Sequence, residues 1–177
     1  MSAILIAGFG GQGVLFAGKQ LALAGMKMDK QVSFIPSYGP EMRGGTSNCS
    51  VNIDDEPIGS PVVTRPEILL VLNLPSFEKF ESKVVPGGTM IVNSSLVHVK
   101  SQRADIHAYY IPATELADQN GLSGLANVIM LGKMLKATGI FEFDYFRACL
   151  LASAPKSRPQ LGEMNAKALE IGYNYEG

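Results

Sequence analysis

Ile4-Leu5-Ile6-Ala7-Gly8-Phe9-Gly10-Gly11-Gln12-Gly13 decides the fold class of this chain. Four apolar residues run into four glycines within six positions, and a helical pattern follows. A strand that ends in such a turn and feeds a helix exposes bare backbone N–H groups to a ligand. Gly8, Gly10 and Gly13 match the spacing G-x-G-x-x-G. In that pattern the first glycine permits a tight turn, the second lets a ligand approach the backbone, and the third lets the helix pack close to its strand. The helix is expected from about Gly13 to Gly25. Ala17, Gly18, Ala24 and Gly25 lie on one face with Val14 and Leu21, a surface suited to close packing on a sheet. Its dipole favours an anion in front of the turn. The turn either binds an anionic, nucleotide-like ligand or serves packing alone.

A dinucleotide site needs an acid about 20 residues past the glycines, at the tip of the second strand. That strand is expected over Gln31–Ile35 and runs into Pro36-Ser37-Tyr38-Gly39. Asp29 precedes it and Glu41 lies beyond a proline-bounded loop, so NAD and FAD are disfavoured.

Further strands are expected at Ser47–Ile53, whose alternation predicts a half-buried strand, and at Ile68–Leu72, Thr89–Asn93 and His107–Ile111. A short helix is expected over Pro75–Lys83, with Phe77 and Phe80 inward. The last third reads as helices over Asn127–Ala137, Phe141–Ala154 and Pro159–Ile171. Val128, Leu131 and Leu135 form the apolar face of the first, with Lys133 and Lys136 off it. Leu161, Ala168 and Ile171 form that of the last. Buried strands alternating with helices predict an α/β fold: a Rossmann-like three-layer sandwich with a mostly parallel, mixed central sheet. One domain over residues 1–177 is expected from the length.

Such a chain can bury about 70% of its unfolded surface and needs no disulfide or metal to fold. Net charge is −1, from 15 basic and 16 acidic residues. No basic stripe is present, which argues against nucleic acid. Cys49 and Cys149 form no cluster-ligand spacing, so no iron–sulfur centre or structural zinc is expected on this chain. Reduced thiols, no signal peptide pattern and no apolar run of about 20 residues suit a cytoplasmic, non-membrane protein. Charged residues are 18% of the chain, below the usual value of about 25%. A subunit interface accounts for that deficit, as does a large core beneath a Ser/Asn/Gln-rich surface.

Pro36 to Ser47 is the second unusual segment. Two prolines and three glycines, Gly44 among them, constrain its backbone, and Ser37, Tyr38, Glu41, Arg43 and Thr46 sit between them. In a doubly wound sheet this loop would lie beside the glycine turn. Arg43 can clamp a phosphate or carboxylate, or Glu41 can pair with it and lock the loop. His98 and His107 are the only histidines and look structural or superficial. With no nucleophile elbow, Walker lysine or metal-ligand spacing, no catalytic residue is assigned. The pattern suits a binding or assembly subunit.

Three runs carry a family resemblance: Gly8 to Gly13, Tyr38 to Cys49 and Asn127 to Gly132. Together they resemble the gamma subunit of 2-oxoacid:ferredoxin (or other acceptor) oxidoreductases, which include the pyruvate and 2-oxoglutarate enzymes. The beta subunit of indolepyruvate oxidoreductase carries a similar domain. The resemblance spans essentially the whole chain, and the Tyr38–Gly45 run is its most specific part. It implies an α/β sandwich within an enzyme that converts a 2-oxoacid and coenzyme A to acyl-CoA, CO2 and reduced acceptor. Thiamine diphosphate and iron–sulfur clusters would then belong to partner chains: alpha and beta subunits, with delta a further candidate. Alone, the chain would form a dimer or weak oligomer. The implied ligand of the glycine turn is coenzyme A, whose phosphates need no acid at the second strand. Its candidate contacts are Gly8, Gly10, Gly11, Gln12, Gly13, Tyr38, Arg43, Gly44 and Thr46. A subunit-interface role for both loops, a stand-alone nucleotide-binding protein and a purely structural assembly subunit are the alternatives.

Overall fold

The computed structural model describes residues 1–37 and 47–177. Tyr38, Arg43, Gly44 and Thr46 therefore lie outside the described residues. The apolar opening run forms β1 (Ser2–Gly8), and the glycine turn leads into α1 (Val14–Met26). A hairpin-paired couple follows, β2 (Gln31–Ser37) and β3 (Ser47–Asp54), then β4 (Ile68–Val71) and α2 (Leu74–Phe80), which is extended by a 3-10 turn at Glu81–Lys83. The remaining elements are β5 (Thr89–Asn93), β6 (His107–Ile111), α3 (Ala113–Gln119), α4 (Ala126–Thr138), α5 (Phe143–Ser153) and α6 (Pro159–Asn174).

The strands form one mixed sheet in the order β2-β3-β1-β4-β5-β6. β1, β4, β5 and β6 run parallel, whereas β3 is antiparallel to both β1 and β2. The expected α/β architecture is therefore present, with one departure from a doubly wound layout. β3 inserts between the first two strands, so the tip of β2 stands two strand spacings, about 10 Å, from β1. An acid at that tip would not reach a ribose beside the glycine turn, which adds to the case against a dinucleotide.

Alternation along the central strands sorts two cores. Ile4, Ile6, Leu70, Leu72, Ile91 and Ile111 face the layer of α1, α4, α5 and α6. Leu5, Ala7, Leu69, Val71, Met90 and Val92 face α2, where Phe77 and Phe80 are buried as expected. Each fully buried Leu or Ile contributes about 1.5–3 kcal/mol. α1 lies close on the hairpin: a Cβ at Gly18 would stand 2.9 Å from Phe34 Cε2, and one at Gly25 would stand 2.9 Å from Val32 Cγ2.

Four expectations need correction. β3 is buried on both faces, because the segment after it folds back over its polar side. There Asn52 donates to Ser33 Oγ and Pro61 O, both at 3.0 Å, and Ser50 Oγ accepts from Val63 N. Lys133 is buried, and its ammonium donates to Tyr175 O at 2.8 Å. α6 buries not Leu161 but Gly162, Asn165, Ala166, Ala168, Leu169 and Gly172, with Ile171 half-buried against the core. That small-residue face lets α4 and α6 cross backbone to backbone: a Cβ on Gly172 would lie 2.6 Å from the Ile129 carbonyl carbon. α3 was not expected. Pro112, read as a strand stop, stands at its N-cap.

Candidate functional site

The glycine turn caps the carboxyl end of β1, and its shape is set by Gln12. Phe9 N donates to Gln12 Oε1 at 2.6 Å, and Gln12 Nε2 donates to Leu72 O at 3.2 Å, just past β4. Asn73 Nδ2 reaches the same Oε1 at 3.4 Å. The Gln12 carboxamide is thus spent on holding the turn against the sheet. Gly8 makes room for it, since a Cβ there would stand 2.7 Å from Gln12 Oε1. Gly11 and Gly13 take φ of +89° and +74°, a left-handed conformation that glycine adopts without strain. No atom of the described residues lies within 4 Å of a Cβ built on Gly10.

Gly13 does not serve helix–strand packing, as its place in the spacing suggested. Its neighbour is Asn127 in the first turn of α4. Asn127 Nδ2 donates to Gly13 O at 3.0 Å, and a Cβ on Gly13 would lie 2.8 Å from Asn127 Cγ. The starts of α1 and α4 are therefore clasped together. The first N–H groups of an α-helix have no acceptor within it. No side chain caps either helix, and neither first turn carries an acid. Both dipoles favour negative charge at this place.

Two cavities flank the clasp. One, about 350 Å³, is lined by Phe9, Gly10, Gly11, Gly13, the first turn of α1 and Ser47. Ser47 pairs with Gly8 across the sheet, and Ser37 ends the neighbouring strand. Ser37 and Ser47 thus stand at the end of the sheet that carries the glycine turn. The second cavity, about 360 Å³, lies between Gly13, Phe16 and the start of α4 on one side and α6 on the other. No described residue lining either cavity is charged, so helix dipoles and N–H groups set their electrostatics.

Among the described residues no acid, base or thiol lines either cavity. His98 and His107 are exposed, and neither lines the two cavities at the turn. Cys49 lies behind α1, where its Sγ contacts Val14 O at 3.5 Å. Burial pushes its thiol up to about 12, so it stays protonated and unreactive. Among the described residues no three His, Cys, Asp or Glu side chains gather to hold a metal, and no helix is long and apolar enough to cross a membrane. Sequence reasoning flagged Asn127 only as part of a run and missed Asn165. Nothing local signals Asn127, because its partner Gly13 lies 114 positions away in sequence.

Residues 3–175 match the family model described as pyruvate ferredoxin/flavodoxin oxidoreductase. The 2-oxoglutarate synthase subunit KorC of Methanocaldococcus jannaschii is 37% identical over 173 residues, which cover 96% of this chain and 91% of KorC. The ketoisovalerate oxidoreductase subunit VorA of Methanothermobacter thermautotrophicus is 40% identical over 96% of this chain, but the chain spans only 35% of VorA. Among solved structures, the gamma subunit of a keto/oxoacid ferredoxin oxidoreductase from Geobacter sulfurreducens superposes with a TM-score of 0.83 at 28% identity, covering 98% of this chain and 96% of that one. The chain belongs to the pyruvate ferredoxin/flavodoxin oxidoreductase family.

Proposed function

We propose that residues 1–177 form one gamma-type domain in a cytoplasmic, multi-subunit 2-oxoacid:acceptor oxidoreductase, and that its glycine turn contacts coenzyme A. The reaction takes a 2-oxoacid, coenzyme A and two one-electron acceptors to acyl-CoA, CO2, a proton and two reduced acceptors. The C1–C2 bond of the acid breaks and a thioester forms. Thiamine diphosphate and iron–sulfur clusters on alpha, beta or delta chains supply the carbon chemistry and the electron path. This chain contributes no acid, base or nucleophile. It binds and positions.

The observation that carries this reading is the uncapped start of α1 beside an open cavity lined by no charged side chain among the described residues. The N–H groups of its first turn meet that cavity across Gly10 and Gly11, an arrangement that suits phosphate oxygens. Gln12 holds the turn in shape, Ser47 lines the cavity, and Tyr38, Arg43, Gly44 and Thr46 lie in the sequence between Ser37 and Ser47. Arg43 would add a bidentate phosphate contact.

The test is coenzyme A titration of the assembled enzyme carrying Gly10→Ala or Arg43→Ala. Gly10→Ala projects a methyl that meets no atom of the described residues within 4 Å. Each variant should raise the KM for coenzyme A about tenfold, which corresponds to about 1.4 kcal/mol, and leave the 2-oxoacid KM unchanged. An unchanged coenzyme A KM together with lost assembly would assign both loops to the subunit interface instead.

A further inference from the structure

Leu72 and Asn73 directly follow β4, and these two consecutive residues grip both ends of one side chain on the glycine turn. Leu72 O accepts from Gln12 Nε2 at 3.2 Å, and Asn73 Nδ2 stands 3.4 Å from Gln12 Oε1. The same Oε1 accepts from Phe9 N at 2.6 Å. Gln12 is flanked by Gly11 and Gly13, both at positive φ. Glycine backbone has little stiffness of its own, so the turn depends on the Gln12 carboxamide for its place.

Asn73 is itself held. It is 2% exposed, and its Oδ1 accepts from Ser76 N at 2.9 Å as the N-cap of α2. That bond fixes which end of its carboxamide is oxygen, and so turns Nδ2 toward Gln12. An orientation relay thus runs from a backbone N–H of α2, through Asn73, to Gln12 Oε1 and Phe9 N. Flipped end for end, Gln12 would set an NH2 group against Phe9 N–H and an oxygen against Leu72 O. Capping alone does not demand asparagine, since serine caps a helix about as well. Only a carboxamide offers Gln12 a donor beside the acceptor for Ser76 N. The end of β5 provides the comparison. Asn93 is 1% exposed, its Oδ1 accepts from Ala113 N and Ser95 N, and its Nδ2 donates to Thr114 Oγ1. It closes its strand in the same manner, yet none of these partners lies in the turn.

We propose that Asn73 is a positioning residue, which acts through Gln12 to hold the glycine turn in the form that meets phosphate. The proposal rests on the reading of that turn as a coenzyme A contact. Asn73 lines neither cavity beside the turn, so it touches no substrate there. A turn ordered in advance loses less freedom when a ligand binds. The effect of Asn73 therefore falls on affinity for coenzyme A and not on the carbon chemistry.

The test is Asn73→Ser, which keeps a cap for α2 and removes the donor to Gln12, with Asn93→Ser as the control. Asn73→Thr carries the same expectation should the serine variant not fold. The first readout is hydrogen exchange at the Phe9 amide of the full chain, followed by NMR. Asn73→Ser should speed it about threefold or more, and Asn93→Ser should leave it unchanged. The second is coenzyme A titration of the assembled enzyme. Asn73→Ser should raise the KM for coenzyme A about three- to tenfold and leave kcat and the 2-oxoacid KM unchanged. Gln12→Ala should raise it too, and Asn73→Ser should add nothing in that background. An unchanged Phe9 exchange rate, an equal effect of Asn93→Ser, or a full Asn73→Ser effect in the Gln12→Ala background would overturn the relay. So would a raised KM in Gln12→Ala with none in Asn73→Ser, which leaves the coenzyme A reading standing. A KM for coenzyme A unmoved by Gln12→Ala, Gly10→Ala and Arg43→Ala would overturn both readings.

Discussion

Gly13→Ala isolates the clasp between the two helix starts. Gly13 sits at φ +74°, where a residue with a Cβ loses about 1–2 kcal/mol. The added Cβ would also press on the Asn127 carboxamide, 2.8 Å from its Cγ. Asn127 is 3% exposed and has no solvent to swing into. Displacing it breaks its bond to Gly13 O and leaves a second buried polar atom unpaired, at about 1–3 kcal/mol. The expected loss is about 2–5 kcal/mol, read from urea unfolding by circular dichroism, since the chain has no tryptophan. At roughly 2–4 °C per kcal/mol for a domain of this size, Tm falls by about 4–20 °C. Gly10→Ala is the control. With no atom of the described residues within 4 Å and no positive φ, it should stay within about 0.5 kcal/mol of the parent. In an Asn127→Ala background the collision disappears, so Gly13→Ala should cost only its backbone part. The cycle should therefore show a coupling energy of about 1–3 kcal/mol. Equal effects of Gly13→Ala and Gly10→Ala, or strict additivity with Asn127→Ala, would refute the clasp.

The α4–α6 crossing and the buried thiol yield two further predictions. Gly172→Ala forces a methyl against the Ile129 carbonyl carbon at 2.6 Å, and backbone cannot rotate aside. A loss of about 3 kcal/mol or more is expected; a change below about 1 kcal/mol in chemical unfolding would mean the helices do not cross there. Cys49 is held neutral up to about 12 from a usual value near 9. The unfolded chain releases that proton first, so the stability it contributes is present below about pH 9 and is lost as pH rises toward 12. The slope should be up to about 1.4 kcal/mol per pH unit. Cys49→Ala should remove that share of the alkaline slope, and an unchanged slope between pH 9 and 10.5 would show the thiol is not buried as described.

What could be read from the chain was local, and what could not was tertiary. The strand, the glycines and α1 occupy one continuous stretch, so period, turn residues and helix pattern agree there. The same logic misled at β3. Its polar Ser50 and Asn52 alternate with Cys49, Val51 and Ile53 like a strand with one wet face, yet that face is covered: the Asn52 amide donates to Ser33 and Pro61, and the Ser50 hydroxyl accepts from Val63 N. Polar alternation reports that a face needs hydrogen bonds, not that water supplies them. The place of β3 between β1 and β2 was likewise invisible, because strand order is decided by which edges meet after the chain has turned. At the site the lesson is sharper. The third glycine was recognised and its partner misassigned, because the residue that demands it lies 114 positions away. Asn165 gave no signal at all: a lone asparagine in a helix reads as surface until the small residues Gly162, Ala166 and Gly172 are seen to draw its face against α4. A glycine motif thus predicts that something must come close, while only the fold says whether that something is a strand, an asparagine or a ligand. Here the three glycines divide the work. Gly8 yields to Gln12 and Gly13 yields to Asn127, which leaves Gly10 as the position whose Cβ side meets no described residue, and it is there that a ligand has room to approach the backbone.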